Sequence, residues 1–388
     1  MHDDSGRGRK LGLVLPGGGA RAAYQAGVLS AIAELLPSNA ANPFPIITGT
    51  SAGAINAAFI ATNAGHFSRG VEQLAGVWKH IHSDQVFRTD SLTILRNAMY
   101  WLLALINTNF AHNRPLVLLD NSPLRRLLEQ HIVFARMSEL IDGGSLEALA
   151  ITCSGYTSAR AVTFYQGRTG LMPWQRTRRL GQPAELRLDH IMASVSLPAL
   201  FPAVRIDREY FGDGSLRQAA PLSPAVHLGA NRLLVIGVRD EQPNRLPDET
   251  EQITYPPLGQ IAGYLLDVIF SDRIYTDLER LQRINATIAH MSRQELDEQP
   301  LRSIDTLVIV PSDDIREIAR RHMRELPSSM RLLLRAMGGL HKSGSQLLSY
   351  LLFEAGYCQE LTQLGRKDGL AQADKIIRFL ADDAGEAR

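Results

Sequence analysis

Twice near its N-terminus the chain runs from a short apolar segment through a glycine-rich turn into a segment with helical spacing. Residues 11–15 (LGLVL) end at Pro16 and Gly17-Gly18-Gly19, after which Ala23, Gly27, Ile32, Leu35 and Leu36 recur at helical intervals. Residues 45–48 run into Gly49-Thr50-Ser51-Ala52-Gly53 and an Ala-rich stretch to about Thr62. Short apolar runs bounded by Gly and Pro read as buried strands. Parallel strands need a crossover between them, so strand, tight turn and helix in succession predict a parallel α/β sheet. Further strands are expected at 148–154, 161–165, 232–238 and 306–310. The last two are almost continuously apolar, as strands covered on both faces should be.

The composition sets the bounds. With 388 residues, 45% of them hydrophobic, the chain can bury a large core, which excludes disorder for its bulk. From about residue 240 the character changes. Residues 242–257 are rich in Pro and acidic side chains and read as a loop, followed by helical patterns over 258–291, 314–326, 328–337 and 345–380. The expected organisation is a sheet-bearing domain over 8–240 and a mostly helical region over 241–388, with 306–310 available to rejoin the sheet. Forty-one Lys and Arg balance forty Asp and Glu, a net charge of +1 that gives no global pull towards nucleic acid. Two cysteines, Cys153 and Cys358, form no CxxC and read as reduced, buried thiols of a cytoplasmic protein. Residues 1–10 are polar and carry no signal-peptide pattern. No stretch reaches the roughly 18 apolar residues of a spanning helix; the longest is 98–106 (AMYWLLALI).

Residues 49–53 form a G-x-S-x-G pentapeptide. In a nucleophile elbow the serine sits on a strained strand-to-helix turn, so its neighbours at ±2 must lack bulk. The turn projects the hydroxyl and leaves the Ala52 N–H at a helix N-terminus, where it can stabilise an oxyanion. The competing reading is a small-residue turn packed against the sheet.

Gly17, Gly18 and Gly19 leave backbone N–H groups open to close approach by a ligand. A dinucleotide loop would need G-x-G-x-x-G and a carboxylate after the second strand, but position 22 is Ala and the second strand ends at Thr48-Gly49. A P-loop pattern is absent. A loop of oxyanion donors near Ser51 remains, beside the plainer reading of glycines placed for helix–sheet packing. Three residues compete to activate Ser51. His227 with Asp213 would satisfy the order Ser, Asp, His, although His227 lies near a helix end in PAVHLG (224–229). Asp142 and Asp213 each precede a glycine and could act directly. No metal pattern appears: His80-Ile81-His82 alone is too little, and no cofactor is expected.

These blocks resemble the patatin-like phospholipases. That family carries a glycine-rich oxyanion loop ending in a basic residue, a G-x-S-x-G elbow, an A-S-x-x-x-P block and a D-G-[GA] motif. All stand here in that order, at 17–21, 49–53, 193–198 and 213–215. The resemblance covers residues 11–240. It implies a three-layer α/β fold with a central, mainly parallel sheet flanked by helices, followed here by a helical C-terminal region. It further implies a Ser51–Asp213 dyad without a catalytic histidine. Gly17, Gly18, Gly19 and Ala52 would form the oxyanion hole, with Arg21, Gly49, Gly53 and Gly214 in support. The implied activity is hydrolysis of phospholipids or related lipid esters. Two departures stand out: Ala22 where glycine commonly follows the basic residue, and Ser215 closing the D-G motif.

Rival readings use the same residues. An esterase, thioesterase or acyltransferase would share the dyad; a lipid-binding scaffold would keep the fold without turnover. For contact with a lipid surface, the sequence offers residues 98–106 and the arginines Arg316, Arg320 and Arg324, spaced by four along one helix.

Overall fold

The structure, a computed structural model, describes residues 10–90, 117–240, 255–297, 301–340 and 344–381, together with Thr93, Arg96, Asn97, Met99 and Tyr100. Its strands are β1 (Leu11–Leu15), β2 (Ile46–Thr50), β3 (Ala148–Gly155), β4 (Ala161–Gly167), β5 (Trp174–Arg176), β6 (Arg179–Pro183), β7 (Val204–Ile206), β8 (Glu209–Asp213), β9 (Arg232–Ile236) and β10 (Asp305–Ile309). They form one sheet in the order β10-β9-β1-β2-β3-β4-β6-β5, with the β7–β8 hairpin attached to β3. From β10 to β3 all neighbours are parallel. Beyond β3 the sheet is mixed: β4 runs antiparallel to β3, β6 parallel to β4 and β5 antiparallel to β6.

Successive side chains on the central strands belong to opposite layers, as the two-residue period of a strand requires. Leu13, Leu15, Ile47, Leu234 and Ile236 join one apolar cluster; Val14, Ile46, Leu233 and Val235 join the other. Among the helices are α1 (Ala23–Leu35), α2 (Ala52–Thr62), α3 (Phe67–Lys79), α4 (Ser122–His131), α5 (Leu188–Ser194), α6 (Ser223–Leu228), α7 (Leu258–Asp267), α8 (Arg273–Ile288), α9 (Ile315–His322), α10 (Ser345–Leu351), α11 (Ala355–Ala371) and α12 (Ala373–Leu380). Residues of α6 and α8 cover the second layer, while α1, α2, α3 and most of the C-terminal helices build the first. The fold is thus α/β, with a mainly parallel sheet between helical layers.

The helical stretches expected at 258–291 and 345–380 are not continuous. Between α7 and α8 the chain makes a π-helical turn over Val268–Asp272. Between α10 and α11 it leaves the helix at Leu352-Phe353-Glu354. Leu352 is fully buried, and Phe353 packs on the rings of Trp78 and Phe87. The Glu354 carboxylate accepts from Ser83 Oγ at 2.7 Å and from the Ser83 N–H. Tertiary demands of this kind override helical periodicity. Strands β5 to β8 also go beyond the expected set, because no apolar run announces them.

The C-terminal region rests directly on α1. A Cβ at Gly27 would lie 2.0 Å from the Thr362 carbonyl oxygen, and one at Gly365 would lie 2.2 Å from that of Tyr24. α1 and α11 therefore cross backbone to backbone, a contact only glycine permits. Gly27→Ala is expected to lower stability by about 1–3 kcal/mol through forced overpacking. Gly76→Ala, on α3 with nothing within 4 Å of the new methyl, should instead raise it by about 0.5–1 kcal/mol. Paired urea denaturation curves check both signs.

Candidate active site

β3 is longer than β2, and two strands share one of its edges. β2 pairs with it up to Thr50 opposite Thr152. The next residue of β3, Cys153, pairs with Asp213, the last residue of β8, which arrives antiparallel. β2 and β8 therefore meet end to end in a single lane. Ser51, immediately after β2, and Asp213 fall together although 162 residues separate them: Ser51 Oγ donates to Asp213 Oδ2 at 2.5 Å.

Ser51 is held in a conformation that L-residues avoid, with φ 53° and ψ −132°, worth about 1–3 kcal/mol of local strain. Close packing enforces it. A Cβ at Gly49 would lie 2.6 Å from the Ala54 Cα, and one at Gly53 would lie 2.0 Å from the Leu15 carbonyl oxygen. α2 begins at Ala52, and the N–H groups of its first turn have no acceptor within the helix. Gly214 lets the chain leave the lane, since a Cβ there would meet the Thr152 oxygen at 2.0 Å.

The segment 193–198 ties both ends of the lane. Ser194 Oγ accepts the Ser51 N–H at 2.9 Å and donates to the Thr152 carbonyl at 2.7 Å. The Ser196 carbonyl accepts the Asp213 N–H at 2.8 Å. Asp213 Oδ1 accepts the Ser215 N–H at 2.9 Å. The carboxyl is fully buried. That burial raises its pKa to about 6, against the hydrogen bonds from Ser51 and Ser215, which lower it.

The glycine loop reaches the same place from β1. Gly19 takes a left-handed φ of 54° and starts a 3-10 turn that leads into α1. Gly19, Ser51 and Ala52 line a pocket whose walls are otherwise almost wholly apolar: Ile55, Leu74 and Trp78 are among them, and the C-terminal region contributes Phe270, Leu351 and Phe353. Gly17 lies under the Phe270 ring and Gly18 under Val238. Arg21 is buried with its guanidinium on Asp267 Oδ1, at 3.1 Å.

The family's sequence model matches residues 13–226, more than half of the chain. The chain belongs to the patatin-like phospholipase family. No curated protein matches it. Among solved structures, VipD from Legionella pneumophila is similar at 11% identity and a TM-score of 0.34, over 91% of this chain and 69% of that one. So loose a likeness carries no argument. Family membership makes this, at the coarse level, a lipid acyl hydrolase.

The rival activating groups fall elsewhere. His227, on α6, stacks on Trp174 with ring centroids 4.8 Å apart and packs with the second layer. Burial, with Arg176, Arg179 and Arg302 nearby, lowers its pKa to about 4. Asp142 ends an exposed helical turn at Met137–Asp142. Arg316 is held by Asp314 at 2.8 Å and Arg320 by Glu317 at 2.7 Å, so these two are not an open basic stripe. Of residues 98–106, all but Met99 and Tyr100 lie outside the described residues. Among the described residues no group of three or more His, Cys, Asp or Glu could hold a metal ion, and no helix is long and apolar enough to cross a membrane. Sequence reasoning missed the C-terminal contribution: Asp267, Phe270, Tyr350 and Phe353 stand in no motif. It also left Ser194 without a role, although the A-S-x-x-x-P block contains it.

A buried carboxyl with a raised pKa bears on stability as well as chemistry. Asp213 binds its proton more tightly in the folded chain than in the unfolded one. Its stabilising contribution is therefore complete below the ordinary value of 3.8 and is lost as pH rises through about 6. Asp213→Asn keeps an acceptor for Ser215 and removes the buried charge. The variant is expected to be more stable than the parent by about 1–3 kcal/mol at pH 8 and no more stable at pH 4. Thermal denaturation at the two pH values measures the difference.

Proposed function

We propose that the protein hydrolyses carboxylic esters of phospholipids or lysophospholipids through a Ser51 acyl-enzyme, with Asp213 as its general base. The observation that carries this reading is the 2.5 Å contact between Ser51 Oγ and Asp213 Oδ2, with Ser51 lining an apolar pocket. As Ser51 Oγ attacks the ester carbonyl carbon, its proton passes to Asp213. Charge develops on the carbonyl oxygen, where the Gly18, Gly19 and Ala52 N–H groups act as donors. The Ser51 N–H is already engaged by Ser194 and takes no part. When the C–O bond breaks, Asp213 returns the proton to the departing alcohol. Water then attacks the acyl-serine, losing its proton to Asp213, and Ser51 is restored with the free acid. One carboxyl suffices because each step moves one proton, and a pKa of about 6 leaves it ionised yet basic at neutral pH. The pocket walls suit an acyl chain.

A lipid substrate is met at a surface, and α7 offers one contact. Leu258, Ile261, Tyr264 and Leu265 are exposed along it beside exposed Tyr255, and the chain continues from this helix to Phe270 in the pocket wall.

A fluorophosphonate probe should label Ser51 stoichiometrically, and Ser51→Ala should lose both labelling and ester turnover. Asp213→Asn should lose more than about a hundredfold of kcat, while His227→Ala and Asp142→Asn stay within about threefold. The kcat/KM profile should rise with an apparent pKa near 6, as Asp213 ionises. Undiminished labelling of Ser51→Ala would sink the assignment. For the surface, Leu258→Ser with Tyr264→Ser should reduce turnover of phospholipid vesicles and leave soluble short-chain esters unaffected; equal losses on both would remove α7 from the reading.

A further inference from the structure

Arg21 follows the glycine loop, yet every partner of its side chain comes from the C-terminal region. The guanidinium is 1% exposed. Nη1 donates to Asp267 Oδ1 at 3.1 Å and to the Tyr350 hydroxyl at 3.0 Å. Nε and Nη2 both donate to Ser349 Oγ, at 2.9 and 2.7 Å, and the guanidinium carbon lies 3.8 Å from the centre of the Tyr350 ring. Asp267 is fixed in turn: Oδ1 accepts from the Tyr350 hydroxyl at 2.6 Å, and Oδ2 takes Gln346 Nε2 and Arg239 Nη1. Asp267 ends α7, and Ser349 and Tyr350 lie on α10. None of these residues falls within the matched 13–226.

The backbone of Arg21 transmits this anchorage. Its N–H donates to the Gly18 carbonyl at 3.1 Å. The Gly18–Gly19 peptide is trans and planar, so fixing its C=O fixes its N–H in the opposite direction. That N–H is one of the donors assigned above to the oxyanion. Gly19 is also backed directly by α10, since a Cβ there would lie 2.4 Å from the Tyr350 carbonyl oxygen. The loop has no side chains of its own to hold it.

We propose that Asp267 and Tyr350 are positioning residues of the acyl hydrolase, aiming the Gly19 N–H through Arg21, so that part of the catalytic apparatus lies in the C-terminal helices. The inference rests on the Ser51 hydrolase reading. A purely structural clamp would tie α7 and α10 to α1 without touching the chemical step, and the two differ in what they do to kcat.

The test is steady-state hydrolysis of a soluble p-nitrophenyl ester by the full chain, with thermal melts alongside. Asp267→Asn, Tyr350→Phe, Arg21→Gln and the Arg21→Gln/Asp267→Asn double variant are compared with the parent and with Ser51→Ala. Asp267→Asn and Tyr350→Phe should each lower kcat by about tenfold or more, part of the loss that follows removal of an oxyanion donor. KM should stay within about twofold, and the rise in activity near pH 6 should not move, because Asp213 is untouched. Since Asp267 acts through Arg21, the double variant should turn over no more slowly than Arg21→Gln alone. Should Asp267→Asn fail to fold, Tyr350→Phe decides, because it removes a hydroxyl and keeps the ring over the guanidinium. A kcat within twofold of the parent in the folded variants, or a multiplicative loss in the double, overturns the proposal alone. Absence of Ser51-dependent turnover in the parent overturns the hydrolase reading and this inference together.

Discussion

Everything at this site follows from β3 being longer than β2. A parallel neighbour occupies its edge as far as Thr152, and an antiparallel one takes over at Cys153. Strands that meet end to end bring their last residues into contact, whatever their separation in sequence. Here that places a hydroxyl against a carboxylate without any side chain reaching across a cleft. The arrangement works only if both chains can leave the lane at once. Gly49 and Gly53 let β2 turn sharply into α2, and Gly214 lets β8 turn past the Thr152 carbonyl. The strained φ at Ser51 is the residue of that crowding. It persists because backbone on both sides over-determines it, and Ser194 and Ser196 hold the two termini from one short segment.

On the proposed reading, the same burial that makes Asp213 costly to ionise makes it useful as a base. An exposed carboxylate titrates near 4 and is too weak a base to share a serine proton at neutral pH. Removing water from Asp213 raises it to about 6, and the hydrogen bonds from Ser51 and Ser215 keep it from rising further. A histidine would bring the basicity without the burial, at the expense of a larger ring and a second group to orient it. On the proposed reading, the apolar pocket that Ser51 lines offers an acyl chain a surface matched to it.

Much of this was legible in the sequence, for identifiable reasons. β1, β2, β3 and β9 are covered on both faces, so each shows as a short apolar run, and the two Gly-rich turns mark where β1 and β2 end. Ser51 was readable because an elbow constrains its neighbours at ±2. Asp213 was not separable from Asp142 by local chemistry, since both precede a glycine; only resemblance to a family distinguished them. What distinguishes them physically is β8, a strand too polar to announce itself, fixed by its pairing with β3. The breaks at 268–272 and 352–354 were equally hidden. Helical periodicity continues through them, and only the buried Phe270, Leu352 and Phe353 explain why the helix yields.

Among the contacts that join the C-terminal region to the rest, three bear on the site. β10 extends the parallel sheet past β9, α11 crosses α1 at Gly27 and Gly365, and Asp267 closes over Arg21. The first is backbone pairing and the second a backbone crossing that tolerates no side chain, so both fix distance. The third is a buried ion pair, and removing one partner of such a pair costs about 3–5 kcal/mol because the other charge is left uncompensated. A contact that fixes distance would suffice to hold helices against a sheet. A charged pair ringed by Tyr350, Ser349 and Gln346 also fixes orientation, and Arg21 is where orientation matters, two residues after the loop that faces Ser51. The N-terminal part carries the Ser51–Asp213 contact, and the C-terminal part adds Phe270, Leu351 and Phe353 to the pocket lining and anchors Arg21 behind the glycine loop.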